Sequence, residues 1–106
     1  MQNIIVETER RAYIFLKEFG FEENEIIPVV TKGISELENT LKKLKTLLGT
    51  CHEHDKEALD DLLHALKGLL FQLGNHVLAE KIELLRGCDE VEVLCKELNK
   101  TLFPTE

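Results

Sequence analysis

The sequence predicts an all-α fold, an antiparallel four-helix bundle with an additional N-terminal helix. Three observations carry this expectation. Apolar residues recur at helical spacing along most of the chain, and strict alternation over strand length is absent. A glycine or a proline stands at the end of each apolar run. The connections between runs are short, which favours antiparallel neighbours. The 106 residues, 43% of them hydrophobic, are enough for one core and are read as a single domain over 1–106.

The first helix is expected over 7–19, with Ala12, Phe15, Leu16 and Phe19 on one stripe and Gly20 as its stop. The second is expected over 26–48, with Pro28 tolerated in its first turn. Its apolar positions Val30, Ile34, Leu37, Leu41, Leu44 and Leu48 alternate spacings of four and three, the period of a bundle seam. Glu38 and Lys42 form a favourable i,i+4 pair on it, and Gly49 ends it.

The third helix is expected over 52–73, opened by a capping box from Thr50 to Glu53. It carries Leu59, Leu62, Leu63, Leu66, Leu69, Leu70 and Leu73 and ends at Gly74. Asn75 caps a fourth helix over 76–86, bearing Val77, Leu78, Ile82 and Leu85 and closed by Gly87. Asp89 with Glu92 caps a fifth over 90–103, bearing Val91, Leu94, Leu98 and Leu102, with Pro104 beyond it.

The third helix departs from simple amphipathicity. On a wheel of about 100° per residue with Leu59 at the origin, its leucines fall on one arc centred near about 340°. On the same wheel His64 falls at about 140°, opposite the core, with Lys67, Asp60, Phe71 and Gly68 between about 80° and 180°. A helix-interior glycine costs about 1 kcal/mol relative to alanine. Phe71 places a large apolar side chain where a bundle exposes polar ones. A glycine and an exposed phenylalanine around one histidine are the pattern of a surface that a partner approaches closely.

His64-Ala65-Leu66-Lys67-Gly68, followed by Leu73-Gly74, resembles the signature of histidine-containing phosphotransfer (HPt) domains, the His-to-Asp relay modules of two-component signalling. The likeness is strongest from Asp60 to Leu85, and helix count and chain length extend it over most of the chain. The H-x-x-K-G motif is short. It gains specificity from its place on the exposed face of a middle helix in so small an all-helical chain. The resemblance implies that His64 accepts a phosphoryl group from a receiver-domain phospho-aspartate and passes it to another receiver. Lys67 and Gly68 would support it, the one by positive charge near the phosphoryl oxygens, the other by leaving room for docking. Phe71, Gln72, Asp60 and Asp61 would contribute to the partner-binding surface.

The implied partners are receiver domains of response regulators or hybrid histidine kinases, and the implied Mg²⁺ belongs to the receiver, so the chain needs no cofactor of its own. The family commonly carries small residues just after the glycine, whereas here the run is Leu69-Leu70-Phe71. Phe71 is read as an apolar anchor for a receiver helix. The same residue motivates an alternative, a non-phosphorylated helical module that docks on receiver or kinase domains.

Composition narrows the remaining classes. The chain holds 13 Lys and Arg against 20 Asp and Glu, a net charge of −7, which disfavours nucleic acid. No segment is apolar enough to span a bilayer, and the N-terminus is not a secretory signal. No glycine-rich phosphate loop is present, so the chain is read as a phosphocarrier and not as an enzyme that uses ATP. The Lys42-Lys43-Lys45 group is a solvated basic patch, and His76 a surface or capping residue.

Cys51-His52-Glu53-His54-Asp55 is the one dense group of metal-ligand types, but a structural zinc site needs about four ligands, so no metal is expected. A third, structural reading would nonetheless place a metal there and make melting metal-dependent. Three cysteines cannot pair completely among themselves. Cys88 and Cys95, seven apart on one helix face, are expected to be inert thiols in a reducing cytoplasm. The start at Met1, the short tail after Pro104 and an active face on the third helix suit a free-standing monomer.

Overall fold

In the computed structural model, which describes residues 2–104, the chain runs through five α-helices: α1 Gln2–Glu18, α2 Glu23–Thr50, α3 Lys56–Gln72, α4 His76–Arg86 and α5 Val91–Leu102. A short 3-10 turn, Glu53–Asp55, leads into α3, and no strand occurs among the described residues. Met1, Thr105 and Glu106, on which the free-standing expectation leans, lie outside them.

At about 1.5 Å per residue the 28 residues of α2 extend about 42 Å, close to the 45 Å long dimension of the molecule. Thus α2 is the spine. It packs on α1 and on α3, and α3 packs most extensively on α4. Leu37, Leu41 and Leu44 of α2 meet Leu63, Leu66 and Leu70 of α3, Ile82 of α4, and Leu98 and Leu102 of α5, all fully buried. Every fourth or third position of these helices therefore faces one apolar interior, as the period of the seam requires. A smaller cluster, Ala12 with Ile26, Val30 and Leu73, fixes the C-terminal half of α1.

Several boundaries differ from those expected. α1 begins at Gln2, because nothing between residues 2 and 7 interrupts helix and Ile5 and Thr8 are buried beside Ala12. α2 begins at Glu23, because Glu22 and Glu25 form a reciprocal capping box. Pro28 consequently lies in the second turn, where its missing N–H removes one intrahelical bond. Gly49 does not end α2. Its left-handed cap falls on Cys51, at φ 47°.

Thr50 is the last residue of α2, and its hydroxyl donates to the Leu47 carbonyl and to Asp55, so the Thr50–Glu53 box does not form. The N-cap of α5 is Glu90, without a side-chain cap. Val77, expected in the core of α4, is 67% exposed; Ile82 faces inward as expected, and Ala79 is buried with it. Phe19, placed on the apolar stripe of α1, is likewise exposed and stacks edge-on against Phe15.

The cysteine expectation is overturned. Cys51 and Cys95 form a disulfide, with Cα atoms 6.3 Å apart, so the end of α2 is tied to α5 and only Cys88 is a free thiol. Cys88 and Cys95 do not share a helix face, because α5 starts at Val91. Spacing along the chain gave no sign of this pairing, which depends on how α2 and α5 meet.

Candidate functional site

The turn between α3 and α4 determines what stands beside His64. Gly74 adopts φ 78°, a backbone state that only glycine enters without strain. A Cβ there would come within 2.5 Å of Phe15. Asn75 follows, buried, its Oδ1 accepting from the Leu78 N–H and its Nδ2 donating to the Thr8 hydroxyl at 2.9 Å. The chain therefore reverses within two residues and α4 returns alongside α3. Its last turn comes opposite the first half of α3, so Arg86 meets Asp60 and His64, and Glu83 meets Lys67.

These five side chains form a continuous polar network. Arg86 is bidentate to Asp60, Nε donating to Oδ1 at 3.0 Å and Nη2 to Oδ2 at 3.3 Å. Its Nη1 reaches Glu83 Oε2 at 3.2 Å and His64 Nδ1 at 3.3 Å. Lys67 Nζ donates to the same Glu83 oxygen at 2.8 Å. The hydrogen bonds from Arg86 hold the Asp60 carboxyl below its ordinary range despite opposing desolvation. Lys67 first, and Arg86 in addition, do the same to Glu83, and Asp60 in turn raises Arg86.

Arginine has only donors, so a contact with His64 makes Nδ1 the acceptor and leaves the neutral ring's proton on Nε2. For Nε2 to act as a nucleophile, that proton must pass to Nδ1 and Arg86 must release the ring. The bonds of Arg86 to Asp60 and Glu83 do not involve the ring.

The surroundings of His64 are open. The imidazole is exposed, and a Cβ added to Gly68 would meet nothing within 4 Å, so no packing among the described residues accounts for the glycine. Phe71 is 41% exposed and rests on the His76 ring, which in turn meets Phe15. An aromatic row thus runs from α3 across the start of α4 to α1. Asp61 is exposed on α3. Gln72 is also exposed but lines a groove with Val29, Gly33 and Glu36 of α2, apart from the His64 network.

Of the residues singled out from sequence, the structure brings His64, Asp60 and Lys67 into one network, with Gly68 and Phe71 on the flanking surface. Sequence reasoning missed Arg86 and Glu83. Their spacing of three marks an ion pair on α4, but only the α3–α4 register shows that it faces His64.

The other candidate constellations do not assemble. Among the described residues, no group of three or more His, Cys, Asp or Glu side chains could hold a metal. Cys51 is in the disulfide, and His54 stacks on His52 and pairs with Asp55. A groove between α1, α4 and α5, lined by Ile4, Arg11, Leu78 and Lys81, includes none of the groups around His64. Among the described residues no helix is long and apolar enough to cross a membrane. Compared with protein-family models, curated proteins and solved structures, the chain matches none of them.

Proposed function

We propose that the chain is a phosphorelay intermediate, a histidine phosphotransfer module built as an antiparallel four-helix bundle with an additional N-terminal helix. The observation that carries the reading is an exposed His64 flanked by two cations, Lys67 and Arg86, beside an unobstructed Gly68. Such a surface supplies a nucleophile, positive charge for phosphoryl oxygens and space for another protein, which is most of what phosphoryl transfer requires.

In the transfer, the Nε2 lone pair forms the N–P bond as the acyl-phosphate O–P bond on a receiver aspartate breaks. The bonding pair leaves with the carboxylate, and the ring proton resides on Nδ1. The donor's Mg²⁺ belongs to the receiver, and this chain contributes the imidazole, its cations and the docking face. The relay role makes the chain a carrier and not an autonomous enzyme, working as a monomer in the cytoplasm. Thiols there are commonly reduced, and the Cys51–Cys95 bond is not among the side chains of the His64 network.

The test is transfer from radiolabelled phospho-receivers in Mg²⁺. Label should leave the receiver and appear on this chain in acid-labile form. Exposed Phe71 favours the second reading, a docking module that carries no phosphate. That reading predicts tight receiver binding with no label transferred and no effect of His64→Gln on affinity.

A further inference from the structure

Glu83 occupies a position that the relay reading does not use. A single oxygen, Oε2, accepts from both Lys67 and Arg86, and the same Arg86 nitrogen contacts His64 Nδ1. Both cations near the phosphoacceptor are therefore already engaged with carboxylates. Around a neutral His64 the two positive charges of Lys67 and Arg86 are balanced by Asp60 and Glu83. The two carboxylates differ in how they are held. Asp60 is gripped at both oxygens by Arg86, whereas Glu83 is bound through one oxygen only, although both side chains are half-exposed.

We propose that Glu83 is a resident counter-anion that the phosphoryl group on His64 displaces, so that it biases the module toward giving the phosphate away. The inference rests on the relay reading and adds a regulator to it. A phosphoryl group brings roughly two negative charges and three acceptor oxygens, which compete with Glu83 for Lys67 and Arg86. The carboxylate weakens the hold of these cations on phosphohistidine through competition and through like-charge repulsion. A carrier benefits from this, since a phosphoryl group held too firmly would not pass on.

The experiment measures the equilibrium partition of phosphate between a receiver and the carrier, for wild type, Glu83→Gln and Glu83→Asp. Site occupancy is read by intact mass and 31P NMR. Glu83→Gln should shift the partition toward phosphocarrier by about threefold, the scale of one exposed ion pair. Glu83→Asp should shift it less, and the effect should shrink at 1 M salt, where screening acts over about 3 Å. In a Lys67→Gln, Arg86→Gln background, the competition is gone and the effect of Glu83→Gln should shrink to the like-charge repulsion alone, an outcome that a merely structural role would not produce. If wild type and Glu83→Gln are both phosphorylated on His64 with the same partition, Glu83 is a bystander and the inference fails while the relay stands. If wild type takes no phosphate on His64 from any receiver, the relay reading falls and takes the inference with it.

Discussion

Replacing Gly68 separates the stability of this fold from its proposed work. A glycine inside a helix costs about 1 kcal/mol relative to alanine. At Gly68 an added Cβ meets nothing within 4 Å, so no steric penalty offsets the gain. Gly68→Ala should therefore stabilise the chain by about 1 kcal/mol, raising Tm by about 4–8 °C for a domain near this size. Glutamine is also a good helix former and should retain most of that gain.

The longer side chain of Gly68→Gln would nonetheless stand one turn from His64, in the space that a docking receiver enters. A displacement of reacting groups by about 1 Å can cost on the order of 100-fold in rate, so Gly68→Gln should lose about two decades in transfer from a phospho-receiver. Labelling by a small acyl-phosphate donor, which needs no docking, should fall far less. The assays are thermal melting by circular dichroism and rapid-quench phosphotransfer. Gly74→Ala supplies the contrast, because φ 78° and the contact with Phe15 make it destabilising. A Gly68→Gln protein that accepts phosphate from receivers at the wild-type rate would refute the close-docking argument, and a Gly68→Ala protein that melts lower would refute the helix argument.

Two further predictions concern the frame around the site. The Cys51–Cys95 bond closes a separation of 44 residues, for which chain entropy gives about 4 kcal/mol. Cys51→Ser should lower Tm by well over about 10 °C, and alkylation of the unreduced, denatured chain should modify one thiol, Cys88; three modified thiols would contradict the bond. Asn75→Ala removes the α4 cap and strands the buried Thr8 hydroxyl, a loss of about 1–3 kcal/mol by denaturant titration; a change below about 0.5 kcal/mol would show that this turn is held by Gly74 and packing alone.

Helical periodicity made much of the interior legible. Leu37, Leu41, Leu44 and Leu48, the leucines on the wheel arc of α3, and Val91, Leu94, Leu98 and Leu102 all point where their spacing places them, with Leu62 and Leu69 at the half-buried edge. Glu38 and Lys42 pair at 3.1 Å, and Asn75 caps α4. These are local properties of one helix, set by 3.6 residues per turn and by capping chemistry.

What was illegible depends on register between helices. Arg86 lies 22 residues from His64, and its contact follows from the tightness of the Gly74–Asn75 reversal. The Cys51–Cys95 pairing requires the end of α2 to meet α5, and neither element signals the other in sequence. Val77 reads as a core position by its apolarity alone, yet the turn that buries Asn75 rotates it outward. Phe71 shows the intermediate case, since its exposure was legible on the wheel and its neighbour His76 was not.

The central claim is that His64 carries phosphate, and intact mass with an acid-lability check tests it most directly. Wild type and His64→Gln are incubated with a small-molecule phosphoryl donor and with phosphorylated receivers in Mg²⁺. The account predicts one acid-labile phosphate on wild type and none on His64→Gln. It also predicts that the two proteins share helicity and melting, because the imidazole is exposed and its contact with Arg86 lies on the surface. Phosphate on His64→Gln at the wild-type level, or none on wild type from any donor, would contradict it.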